Sequence, residues 1–241
     1  MNKTEESLSL GIMQPYLFPY IGYFQLINSC EKFILYDDVQ FIKGGWINRN
    51  RLLVNGQAKY FSLPIKKAST HLNINERFLS DNILPGKIKI LNQISQAYQK
   101  APYFSEVFEF ISEIILYNEN NLNNFIFNTI IRCCKFFKID TEIVRSSELN
   151  YNRDLSGQER IIEINKNQGC THYINAIGGK ELYDKKTFHK NKIKLSFLAT
   201  RPIIYKQFNN EFIANLSIID VMMFNSKEVI QSYLSEFDLV D

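Results

Sequence analysis

With 241 residues, 45% hydrophobic and 22% charged, the chain is long enough to bury a full core and too balanced to be a disordered polyelectrolyte. Its 28 basic and 25 acidic side chains leave +3 and are interspersed, which excludes a dedicated DNA-backbone binder but leaves room for a small anion held by a few arginines. The opening MNKTEESLSLGIM sets two acidic residues before a short apolar run. It reads as neither a secretory leader nor a membrane span, so the chain is expected in the cytoplasm without membrane insertion. Cys30, Cys133, Cys134 and Cys170 form no CxxC pair and stand at no zinc-finger spacing to a histidine. They read as buried thiols.

Ser9 to Gln14 is an apolar run stopped by Pro15, as in a central strand buried on both faces. A turn through Tyr16 to Pro19 leads into a helix marked by Ile21, Phe24, Leu26 and Ile27, in which Gly22 permits close approach of backbone or ligand. Phe33 to Tyr36 reads as a second strand, ended by Asp37 and Asp38. Carboxylates there suit a metal, a ribose hydroxyl, an arginine or a cap. Gly44 and Gly45 mark a turn, followed by Trp46 beside Asn48, Arg49 and Arg51. An aromatic plane next to guanidinium forks suits an anionic ligand with a flat ring; a solvated hairpin with Trp46 on the core reads equally well.

Asn55-Gly56 predicts a hairpin turn before KYFSLPIKK. Helical spacing then recurs over Lys87–Tyr98, Tyr103–Leu116 and Leu122–Phe137, a helical middle segment of about 85–140. Further on, TEIVRSSEL predicts a strand, and SGQERIIEINKNQG a helix with Ser156 and Glu159 as a capping box and Gly169 as its stop. HYINAIGGKELY and IKLSFL predict two more strands. Asn175, Gly178 and Gly179 fall where a strand becomes a loop, a place for backbone NH groups to meet phosphate or for a plain turn. Asn215 or Ser217 is expected to cap a last helix carrying Ile218, Val221, Met222 and Val229, with Ser217 and Asp220 on one turn. Strand and helix alternate in this way over 1–241, which predicts one α/β domain with a mostly parallel sheet of Rossmann or HUP-like type.

Five stretches carry a resemblance. They are Gln14-Pro15-Tyr16, Pro19 to Phe24, Asp37-Asp38-Val39-Gln40-Phe41, Trp46 with Asn48-Arg49-Asn50, and Leu216-Ser217-Ile218-Ile219-Asp220. In this order the chain resembles the WbqC-like family over nearly its whole length. Members of that family are associated with bacterial O-antigen and other surface-polysaccharide gene sets. The resemblance therefore implies a cytoplasmic enzyme acting on an activated sugar in lipopolysaccharide or related assembly, without assigning a reaction to individual residues. Tyr20-Ile21-Gly22-Tyr23 is also similar to the HxGH signature of adenylyl-transferring nucleotidyltransferases. Both histidine positions are tyrosine, which removes the positive charge that signature offers a phosphate.

The expected reaction is acyl or aminoacyl transfer to the amine of a nucleotide-linked amino sugar, with Asp37 or Asp38 taking the proton and Asn48 or Asn175 polarising the carbonyl. Trp46, Arg49 and Arg51 would hold base and diphosphate. Gln14, Tyr16, Tyr20, Gly22, Tyr23 and Gln40 would contribute from the amino-terminal side, and Gly178, Gly179, Ser217 and Asp220 from the carboxyl-terminal side. An acyl donor or ATP serves as co-substrate, no bound metal is called for, and the oligomeric state stays open. Carboxylate activation and a non-catalytic sugar-nucleotide-binding subunit are the competing expectations.

Overall fold

The computed structural model describes residues 8–209 and 211–241, and the reading of the first seven residues lies outside them. Strand β1 (Ser9–Met13) leads through α1 (Ile21–Asn28) to β2 (Lys32–Leu35), which pairs with β1 in parallel. A hairpin of β3 (Arg49–Val54) and β4 (Gln57–Ser62) forms its own two-stranded sheet, turning at Asn55 and Gly56. Both turn residues take positive φ, the primed turn that matches strand twist. Helices α2 (Leu84–Tyr98), α3 (Phe104–Leu116) and α4 (Leu122–Phe137) make the helical middle. The chain then returns as β5 (Glu142–Arg145), α5 (Gly157–Asn167), β6 (His172–Ala176), α6 (Lys185–Lys190) and β7 (Lys194–Thr200). It finishes with α7 (Ile218–Phe224), α8 (Lys227–Tyr233) and β8 (Phe237–Val240).

The main sheet runs β5-β2-β1-β6-β7-β8, parallel except for β8. From β1 the chain builds outward through β2 to β5, then crosses back to β6 and continues to β7. The strand order therefore reverses between β1 and β6, the arrangement of a Rossmann-like α/β fold. Strand periodicity assigns each side chain to one of two cores. Leu10, Ile12, Ile34, Tyr173 and Phe197 face the layer that holds Ile161, Ile164 and Phe188 of α5 and α6. Phe33, Leu35, Ile174 and Leu198 face the larger layer of α1, α2, α3, α4, α7 and α8. All four cysteines are buried and free, and burial pushes the Cys30 thiol up to about 12.

Two expectations are corrected by local geometry. Ser156 stands at the N-cap of α5 but makes no side-chain cap bond, so the capping box does not form. The last helix is two helices, because Asn225 is extended and Ser226 caps α8 afresh, with its hydroxyl accepting from Val229 N. Helix α6 and the antiparallel β8 were not anticipated at all. Among the described residues no helix is long and apolar enough to cross a membrane.

Ser217 does cap α7, accepting from Ile219 N, and its hydroxyl also donates to the Phe18 carbonyl at 2.9 Å. It thus ties α7 to the loop after β1. Ser217→Ala is expected to lower stability by about 1–2 kcal/mol, the loss of a cap plus a buried acceptor left open, as read by urea denaturation.

Candidate functional site

A cleft of about 1170 Å³ opens at the carboxyl ends of β1, β2 and β6, at the strand-order reversal. Open α/β sheets bind ligands there because two loops diverge in opposite directions and leave a crevice. Gln14 and Tyr16 follow β1, Tyr36 follows β2, and Asn175 and Ala176 end β6. The first turn of α5 forms one wall, with Ser156, Gly157, Gln158 and Arg160. Trp46, Asn50 and Arg51 line the cleft as well, as does the turn holding Gly178, Gly179 and Tyr183.

The loop after β1 is held by long-range bonds rather than by its own sequence. Pro15 stops the ladder and Phe18 takes a positive φ of 42°. Its Leu17 and Phe18 carbonyls accept from the buried Asn50 amide at 3.1 and 2.7 Å, and the Tyr23 hydroxyl donates to Gln14 O at 3.2 Å. Tyr16 and Tyr20 are thereby fixed on the cleft wall. Burial raises both phenols, so they stay protonated donors. Gly22 leaves room for the Tyr20 ring, which a Cβ there would meet at 2.5 Å and push aside.

Of the residues anticipated from sequence, the cleft brings together Gln14, Tyr16, Tyr20, Trp46, Arg51 and Asn175, with Gly178 and Gly179. The others stand elsewhere. Asp37 is fully buried, and its carboxylate accepts from Ser147 N and Oγ, Ser146 Oγ and Asn123 Nδ2. Asp38 accepts from Ser146, Tyr151 and Arg153 and pairs with Arg160 at 3.1 Å. Burial pushes the Asp38 carboxyl up, but the Ser146 and Tyr151 hydroxyls with Arg160 and Arg153 outweigh it, and its pKa is lowered. Neither carboxylate lines the cleft. Both knit the end of β2 to the segment between β5 and α5.

Asn48 donates to Leu63 O and Gln40 to Thr70 O, so both brace loops. Arg49 donates to the Gly44 and Gly45 carbonyls and lies over Tyr60, which sets its fork away from the cleft. Tyr23 is buried at 1% exposure, so only Tyr20 of the HxGH-like stretch borders the cleft. Asp220, in the first turn of α7, is buried and accepts from Tyr98, Tyr205 and Gln207. Burial raises its carboxyl, against the hydrogen bonds of those three donors.

Arg160, Tyr36 and Tyr183 border the cleft without having been anticipated. For Arg160 a signal existed. A cation in the first turn opposes the helix macrodipole, and a broken local rule of that kind marks a side chain with work elsewhere. Its guanidinium lies over the Tyr36 and Tyr151 rings and donates to the Asp38 carbonyl and the Tyr151 hydroxyl, while its Nε has no partner among the described residues. Gly178 leaves open space where a side chain would stand, and Gly179 gives room to the Asn175 amide, which a Cβ would meet at 2.5 Å. Among the described residues no group of three or more His, Cys, Asp or Glu side chains could hold a metal ion. Chemically, the cleft offers aromatic faces, two arginines and the backbone NH groups of a helix start, a set suited to an anionic ligand bearing a ring.

The sequence model of the WbqC-like protein family matches residues 14–232. An uncharacterized protein of Mycobacterium tuberculosis, Rv1507c, is 26% identical over 231 residues, covering 93% of this chain and 96% of the relative. No solved structure matches the chain.

Proposed function

The chain belongs to the WbqC-like protein family, and from that premise we propose that it binds a nucleotide-linked amino sugar in the switch-point cleft and transfers an acyl or aminoacyl group to its amine. The work belongs to bacterial surface-polysaccharide assembly, such as O-antigen synthesis, in the cytoplasm. The observation that carries this reading is the convergence of Arg160, the start of α5 and the Gly178-Gly179 turn on one aromatic-walled cleft. A diphosphate held there would draw on the guanidinium and the helix NH groups, where charge-assisted bonds and the macrodipole act together.

In the transfer, the free amine attacks the donor carbonyl and a C–N bond forms. The bond from carbonyl carbon to leaving group then breaks, and the nitrogen gives up its proton to water in the open cleft. Asn175 is the polarising group for the carbonyl oxygen, since its amide borders the cleft and its own Oδ1 is already fixed by Ala176 N. Asp37 and Asp38 act as positioning residues, holding the segment that presents Arg160.

Calorimetry with UDP- and dTDP-linked amino sugars is the direct test. Micromolar binding is expected, followed by an acyl mass gain on the sugar nucleotide when a donor is added. No affinity across the panel overturns the reading, and binding without any product across thioester, ATP-dependent and aminoacyl-tRNA donors removes the transfer while leaving the binding.

A further inference from the structure

We propose that the segment 177–194 docks the protein on an anionic phospholipid surface, beside the mouth of the cleft. The inference stands apart from the reaction proposed above, since it assigns a surface and its partner rather than a substrate. The segment holds a 3₁₀ turn (Ile177–Leu182), α6 and the start of β7. Its six lysines are Lys180, Lys185, Lys186, Lys190, Lys192 and Lys194. Set against Glu181, Asp184 and Asp241, they leave +3, the net charge of the entire chain, so the basic surplus of the molecule is gathered here.

Local structure turns this charge outward. Phe188 is fully buried, its ring stacked 5.7 Å from that of Tyr173, which fixes the inner face of α6. Lys186 and Lys190 stand two residues to either side of it, four apart on the opposite, exposed face. Lys192 and Lys194 follow, both exposed. Lys180 donates to Asp241 O at 2.7 Å while Lys185 pairs with the Asp241 carboxylate at 3.3 Å, which draws the 3₁₀ turn and the start of α6 into one patch. Asp184 is spent on its own helix, accepting from Lys186 N, Thr187 N and Thr187 Oγ1. Lys186, Lys190 and Lys192 form no ion pair among the described residues.

Two apolar side chains decide the kind of partner. Leu182 is 70% exposed and Ile177 43%, at the two ends of one short turn among these lysines. A bilayer takes both kinds of group at once, because ammonium groups stay with the lipid phosphates while aliphatic side chains enter the acyl boundary. A nucleic acid would leave Leu182 and Ile177 in water. It would also find here neither an arginine fork nor an open ring, since Tyr183 packs edge-on against Tyr173 and Phe188. Gly178, Gly179 and Leu182 also line the cleft, so a bilayer seated on this patch stands beside its mouth.

Co-sedimentation of the intact protein with lipid vesicles tests the assignment. Vesicles of phosphatidylglycerol and phosphatidylcholine in equal parts should bind it, and phosphatidylcholine alone should not. Salt at about 1 M, where the Debye length shrinks to about 3 Å, should release it. Lys186→Gln combined with Lys190→Gln should weaken binding roughly 25-fold, about fivefold for each charge, and Leu182→Ser roughly tenfold. All three positions are exposed, so the variants should melt with the wild type. A single-stranded DNA oligonucleotide serves as the polyanion control. No binding to the anionic vesicles, equal binding to both vesicle types, or unimpaired binding by the lysine variant overturns the docking surface. Oligonucleotide binding tighter than vesicle binding and untouched by Leu182→Ser makes the partner a nucleic acid and overturns it too. Each of these outcomes leaves the sugar-nucleotide affinity, read separately by calorimetry, to decide the proposed function.

Discussion

Replacing Asp38 with alanine is expected to cost about 3–5 kcal/mol of folding stability, a fall in Tm of roughly 10 °C for a chain of this size. The substitution strands Arg160, Tyr151, Ser146 and Arg153, each of which now donates to that carboxylate, and leaves a largely buried guanidinium unpaired. The effect depends on pH in a defined direction. Because the folded protein holds the Asp38 carboxyl below its ordinary value, its contribution is fully present above about pH 4 and fades as the pH falls through the lower folded value. Wild type and variant should therefore converge in acid, which thermal melts between pH 2 and 7 would read. Asp38→Asn separates structure from chemistry. If Asp38 were the base, the folded Asn variant would lose turnover altogether; as a positioning residue it keeps measurable activity with a weaker KM.

Arg160→Ala should lower amino-sugar nucleotide affinity by roughly 10- to 150-fold, the about 1.5–3 kcal/mol of a charge-assisted hydrogen bond. Arg160→Lys keeps the charge but not the fork, and should recover only part of it. Calorimetry on variants shown to be folded distinguishes lost contact from lost structure, because Arg160 also braces Asp38. Arg49→Ala serves as the contrast. Its guanidinium is spent on the Gly44 and Gly45 carbonyls, so sugar-nucleotide affinity should change less than threefold. Unchanged affinity in folded Arg160→Ala would take this residue out of the site.

Much of the frame was legible because the relevant signals are local. Helices α2, α3 and α4 show in the spacing of their apolar residues, and each begins or ends within three residues of its expected limit. The β3–β4 turn shows in Asn55-Gly56, and β1 in an apolar run cut by proline. Half the anticipated cleft residues also fall in the cleft, since loops after parallel strands converge by topology. What stayed hidden depends on distant partners. The acidic pair after β2 looked free for chemistry, yet its donors come from Asn123, Ser146, Ser147, Tyr151 and Arg153, more than eighty positions away. Asn50 offers no local sign that it satisfies two carbonyls thirty residues upstream. The break between α7 and α8 was different, because Ser226 is an N-cap residue in plain view, obscured by an apolar stripe that runs across it.

Strand β1 sits between β2 and β6, so one of its edges waits for a neighbour that begins only at His172. Until β6 has been synthesised, the nascent polypeptide presents an apolar, unsatisfied backbone edge on an inner strand of its future sheet. Pairing across so long an interval is slow, which makes the emerging half-protein a natural client for chaperones and a poor candidate for autonomous expression.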